Sequence, residues 1–190
     1  MKETTCCFTG HRKLPVNQIG RVVARLNSEI ESLIQAGVTT FISGGALGFD
    51  QTAAALIASK KKQGCTIRLE LALPYREQDR LWPHNAQHQY RQLLESADSV
   101  HCMSELYAYD CIRKRNRYLV EHSAYCICAL LRSPSGTAQT VHYAEQLGLS
   151  VINVAGHGRL DAAVIRQSGA GREKPLRAPA QDTARTVCYF

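Results

Sequence analysis

The chain has 190 residues, a formal net charge of +7, 45% hydrophobic and 21% charged residues. These values suit one folded domain with a full-sized core and exclude a low-complexity or disordered chain. No apolar run approaches the roughly 20 residues of a membrane helix. The first eight residues, Met1 to Phe8, contain no apolar h-region and no small-residue cleavage site, so the expectation is a cytoplasmic protein without membrane contact. The positive charge fits a nucleic-acid partner and small anionic ligands equally well.

Short apolar runs alternate with amphipathic stretches, the pattern of βαβ units and a parallel sheet. In chain order the expected elements are a strand at 4–9, a helix at 16–35 and a strand at 39–43. The first helix carries one stripe of Ile19, Val22, Val23, Leu26, Ile30, Leu33 and Ile34 and is stopped by Gly37. An alanine-rich helix at 51–62, a strand at 66–73 ended by Pro74, a helix at 84–96 and a short strand at 99–102 come next. A helix at 113–122, a continuous apolar strand at 124–131, a helix at 137–147 and a strand at 151–154 complete the pattern. The resulting fold class is α/β, a Rossmann-like open, mostly parallel sheet with helices on both faces, over residues 1–155. Residues 156–190 are rich in Gly, Ala, Arg and Pro and are expected to form a basic, poorly ordered tail.

Eight cysteines contain no C-x-x-C pair. Cys126 and Cys128 fall on one face of a strand and the adjacent Cys6 and Cys7 on opposite faces, which is not zinc-ligand spacing. They read as reduced small hydrophobes, and no metal or cofactor is expected.

In an open parallel sheet ligands bind beyond the carboxyl ends of the strands, so the loops that follow strands carry the candidate site. Ser43-Gly44-Gly45-Ala46-Leu47-Gly48-Phe49-Asp50 places three glycines between a strand and a helix start. Such a loop lets a phosphate approach backbone N–H groups where the helix dipole favours an anion. The plainer alternative is a tight turn with Asp50 as helix cap. Thr9-Gly10-His11-Arg12 follows the first strand; Arg12 suits a forked contact to phosphate oxygens and His11 a single one. Gly136 and Thr137 open the last helix, where Thr137 either caps it or meets an anion. Trp82, the one tryptophan, either stacks on a base or packs under its loop. Arg113-Lys114-Arg115 opens a helix against its dipole, a cost that a bound anion would relieve; Tyr107 and Tyr109 lie just upstream.

Together these segments resemble the SLOG superfamily, named for SMF/DprA and LOG, and within it the YpsA-like branch, over about residues 4–154. The carrying elements are Phe8-Thr9-Gly10-His11-Arg12, then Ser43 to Asp50, then Leu73-Pro74-Tyr75 with Gln78 and Trp82. Arg115-Asn116-Arg117-Tyr118-Leu119-Val120 and Gly136-Thr137 with Tyr143-Ala144 complete the set. The resemblance implies a Rossmann-like fold and binding of a nucleotide or nucleotide-derived ligand, ADP-ribose-like or a nucleoside monophosphate, and it adds Gln78 and Asn116 to the candidate ligand residues. The expected role is a sensor or regulatory domain, with self-association left open. Two relatives supply alternatives. Lonely-guy enzymes hydrolyse nucleoside monophosphates and carry an acidic pair after their Gly-Thr element. Here Ala138-Gln139-Thr140 follows, without a carboxylate to support an oxocarbenium-like state, so no catalytic residue is assigned. DNA-processing relatives bind single-stranded DNA, and their glycine loop resembles Ser43 to Asp50.

Overall fold

The computed structural model describes residues 2–156. Among them the alternation of apolar and amphipathic segments produces β1 (Thr5–Gly10), α1 (Val16–Gln35), β2 (Thr40–Ser43), α2 (Phe49–Lys62) and β3 (Arg68–Leu73). The chain continues through α3 (His84–Ser96), β4 (Ser99–Cys102), α4 (Cys111–Glu121), β5 (Tyr125–Ala129), α5 (Gly136–Gln146) and β6 (Ser150–Asn153). The six strands form one sheet in the order β4-β3-β2-β1-β5-β6, every pair parallel. This is a Rossmann-like α/β architecture.

The order reverses once. The chain steps outward from β1 to β4, then crosses back and starts again at β5 on the other side of β1. Because crossovers between parallel strands are right-handed, that reversal sends the later helices to the opposite face. One buried cluster joins Cys6, Phe8, Phe41, Leu69, Leu71 and Ile127 to residues of α1, α2 and α3. The other joins Cys7, Ile42, Ala72, Cys126 and Cys128 to Leu119 and Val120 of α4 and Val141 and Ala144 of α5. Cys6 and Cys7 thus point to opposite faces and Cys126 and Cys128 to one, as strand periodicity requires.

The element ends differ from the sequence reading where pairing decides them. The last apolar run is strand only to Ala129, because its neighbour β1 ends opposite, at Gly10. β3 begins at Arg68, the residue paired with Thr40, the first of β2. α2 starts two residues earlier than expected, since Gly48, at φ +86°, turns the chain sharply enough for Phe49 to enter the helix. The expectation for the tail falls at its greater part, 157–190, outside the described residues. No described helix is long and apolar enough to cross a membrane.

Candidate functional site

The carboxyl ends of β1 and β2 deliver the first two candidate loops side by side. Phe49 N–H donates to His11 O at 3.4 Å, and a Cβ on Gly10 would lie 2.5 Å from the Phe49 ring. Gly10 is therefore required by packing of one loop on the other. Gly48 is equally constrained: at φ +86° a Cβ there would run into the Arg12 backbone.

The glycine loop is held from within. Ser43 Oγ donates to Asp50 O at 2.9 Å and accepts from Gly45 N–H at 3.2 Å. Gln78, on the loop after β3, donates from Nε2 to Gly44 O at 3.3 Å and to the Tyr90 hydroxyl at 3.0 Å. Ser43 and Gln78 are buried and both shape the loop. Trp82 does not sit free above it: its ring meets Tyr90 edge-on, centroids 5.2 Å apart, and remains half-buried.

Asp50 is not the cap of α2, a position occupied by Gly48. Its carboxylate is buried near the backbone N–H groups of Ala46 and Gly10, which favour its ionised form, and faces Arg115 Nη1 at 3.5 Å. Burial pushes its pKa up to about 6, against the opposing pull of the Arg115 and Arg12 charges and the two N–H donors.

Arg115 reaches this carboxylate from α4, on the far face of the sheet. Its side chain is 10% exposed, and the guanidinium packs on Gly44 so closely that a Cβ there would overlap it. Nε donates to Asn116 Oδ1 at 2.8 Å. Nη1 has no hydrogen-bond partner: the Asp50 oxygen is near enough for charge attraction but does not complete a bond. α4 begins at Cys111, with Asp110 before it pairing with Lys114 at 3.1 Å. The unfavourable cations read at this helix start are thus met by two aspartates, Asp110 and Asp50.

At the start of α5, Ser135 is the cap, its Oγ accepting from Ala138 N–H at 3.0 Å. Thr137 does not cap; it lies buried one position inside the helix. Gly136 has open space where a Cβ would stand. Across the reversal point between β1 and β5, His11 N–H meets Ala129 O at 3.4 Å, and the buried His11 Nε2 has no partner. Burial, then the charge of Arg132, lowers the His11 pKa.

The structure therefore brings Gly10, Arg12, the glycine loop, Asp50, Gln78 and Arg115 into one cleft, and links Asn116 to it through Arg115. A cavity of about 30 Å³, lined by Arg12, Ala46, Tyr75, Gln78, Trp82 and Arg115, forms its floor. Gly136 and Thr137 stand apart on the β5 side. Sequence reasoning named Tyr75 and Tyr107 separately but missed their meeting, rings edge-on at 5.4 Å, and the Arg76–Glu105 pair at 2.8 Å that ties the same two loops. No motif signals a contact between exposed residues about 30 positions apart. An apolar recess of about 120 Å³ lies on the other side of Arg12, against Leu14, Ile19, Val22 and Phe49. No cluster of three or more His, Cys, Asp or Glu capable of holding a metal occurs among the described residues.

A Rossmann-like sheet with glycine-rich and arginine-bearing loops at its carboxyl end defines the class. Residues 6–146 match the sequence profile of the YspA SLOG family, and the chain belongs to that family. It is 32% identical over 135 residues to the uncharacterized SPbeta prophage-derived protein YoqJ of Bacillus subtilis (strain 168), covering 64% of this chain and 79% of that one. UPF0398 protein BH1768 of Halalkalibacterium halodurans is 32% identical over 98 residues, half of this chain and 51% of that protein. Among solved structures it is similar to DNA processing protein A of Streptococcus pneumoniae, with TM-score 0.61, 18% identity and 89% of this chain covered. The Helicobacter pylori protein of the same name, solved for its single-stranded DNA binding mode, gives TM-score 0.57 at 16% identity over 77% of this chain. The match spans only 58% and 63% of those two longer chains, and at such identities the likeness shows the fold.

Proposed function

We propose that this cleft binds a nucleotide-derived ligand through its phosphate, and that the chain acts as a sensor or regulatory domain. The supporting observation is the buried Arg115 Nη1, a cationic donor without a hydrogen-bond partner, packed on Gly44 of the glycine loop and facing the cavity with the exposed Arg12. Buried polar atoms without partners are rare in native proteins; a phosphate oxygen satisfies this one with a charge-assisted bond. The test is mass spectrometry of small molecules released from the purified protein, followed by calorimetry with ADP-ribose and AMP. No released nucleotide and no heat with either ligand overturn the reading.

A second reading, single-stranded DNA, is favoured by the exposed Leu106, Tyr107, Tyr109 and Ile112 beside the cleft. Aromatic side chains beside arginines are what sequence-tolerant strand binders use. Anisotropy of a labelled oligonucleotide across a salt series separates the two: binding that survives physiological salt replaces the first reading with the second.

A further inference from the structure

The Arg115 guanidinium already has an anion beside it, and that anion belongs to the protein. The Asp50 carboxylate is buried where the ends of β1 and β2 converge and stands 3.5 Å from Arg115 Nη1. We propose that Asp50 is an internal counter-ion which takes up a proton from solvent when an anionic group of a ligand engages Arg115 and Arg12. This inference rests on the cleft being the anion site.

The argument is one of crowding. A phosphate oxygen bonded to Arg115 Nη1 comes within a few ångströms of a buried carboxylate, and two buried like charges at that distance cannot both persist. A diphosphate stays ionised through the neutral range, so the carboxylate is the group that yields. Protonated Asp50 is uncharged, and its new hydroxyl becomes a donor toward the ligand. The groups that set its charge come from every element packed on it: Arg115 from α4, Arg12 from the loop after β1, and the N–H donors of β1 and the glycine loop. Behind Arg115 stand Cys111 and Tyr90. Burial has already lifted Asp50 to about 6, so it is ionised near neutral pH yet within reach of protonation.

The sign is fixed by linkage. The free protein loses this proton above about pH 6 and the complex retains it, so affinity falls as pH rises above 6, by up to about tenfold per unit. His11, held below its ordinary value of 6.5, is neutral above that pH and contributes little there. The experiment is calorimetry of ADP-ribose binding to the full chain from pH 6.5 to 8, at each pH in two phosphate-free buffers of different ionisation enthalpy. Net uptake approaching one proton, with affinity falling as pH rises, supports the proposal. In Asp50→Asn both the uptake and the pH dependence should vanish, with tighter binding than wild type at pH 8. Wild-type binding that neither takes up protons nor varies with pH overturns the proposal while leaving the anion site standing. Should Asp50→Asn fail to fold, the wild-type proton count decides alone. No heat with ADP-ribose or inorganic pyrophosphate at any pH overturns the site itself, and this inference with it.

Discussion

Asn116 Nδ2 donates to Thr140 Oγ1 at 3.0 Å, joining the second turn of α4 to the first turns of α5. Thr140 passes the link on to Gly136 O at 2.9 Å, and Asn116 Oδ1 receives Arg115 Nε at 2.8 Å. The polar atoms at position 140 are thus engaged in orienting the buried arginine. That is one of the places where the sequence places an amide or hydroxyl instead of a ribose-facing carboxylate.

This arrangement bears on catalysis. We expect no release of adenine from AMP at rates typical of enzymes, on the order of one per second, measured as free base over time beside a competent relative. Gln139 is exposed whereas Thr140 is buried, so Gln139→Glu should be tolerated and Thr140→Glu should unfasten the Asn116 link and destabilise the chain. Turnover by the unmodified protein refutes the binding-only reading.

Removing the Arg115 charge leaves Asp50 buried without its cation. Arg115→Ala should abolish ADP-ribose binding and lower stability by about 3 kcal/mol, less if Asp50 protonates. Arg115→Lys keeps the charge but loses the Nε bond to Asn116 and the planar fork, so it should fold while binding at least tenfold more weakly. Thermal melts and calorimetry on the same samples check both, and unchanged binding in Arg115→Ala contradicts the site assignment.

The glycines should separate by what surrounds them. Gly48→Ala forces a Cβ against the Arg12 backbone at φ +86° and should cost about 1–3 kcal/mol of stability. Gly45→Val places a branched side chain at φ +61°, with its Cβ 3.1 Å from the Tyr90 ring, and is expected to distort the loop as well as block a ligand. Gly136→Ala meets nothing within 4 Å and should leave the melting temperature unchanged, so any loss of binding in that variant reports the ligand directly. Denaturant titrations of the three variants give the ranking.

His11 should set part of the acid limb of stability. Its folded pKa lies below the ordinary value because burial, then Arg132, disfavours the cation. The unfolded chain therefore binds the proton first, and the stability His11 contributes is complete above about pH 6.5 and is lost as pH falls below it. The Asp50 contribution runs the opposite way between about 4 and 6, so the comparison must be between variants. His11→Gln should flatten the decline of melting temperature from pH 6.5 to 5, and an identical decline in the two proteins excludes the role.

Much of this fold was legible because periodicity and punctuation agree. The stripe from Ile19 to Ile34 and the stop at Gly37 located α1 to the residue, and the run ended by Pro74 located β3 to within two. The site was legible as loops, since glycines and arginines after strands are local features. What each residue touches was not. Asp50 reads as a cap in sequence, and only the meeting of Gly10, Ala46 and Arg115 turns it into a buried anchor. Gln78 and Asn116 read as ligand contacts, yet their amides hold Gly44, Tyr90, Arg115 and Thr140. The longer of these pairings, Asn116–Thr140, Gln78–Gly44 and Asp50–Arg115, depend on which helix lies on which face, a consequence of sheet order that no local pattern encodes.

The placement of the cysteines gives the molecule a native chemical handle. Burial pushes the thiols of Cys6 and Cys128 up, the latter to about 12, and Cys126 is raised by the neighbouring Cys7 and by burial. These groups stay protonated and shielded, and thiolates alone react readily. Cys102, by contrast, is exposed at the end of β4, its Sγ donating to Ser104 O beside the loop that carries Tyr107. A maleimide fluorophore applied under mild conditions should choose Cys102 over the buried strand thiols, placing a dye beside the loop that carries Tyr107.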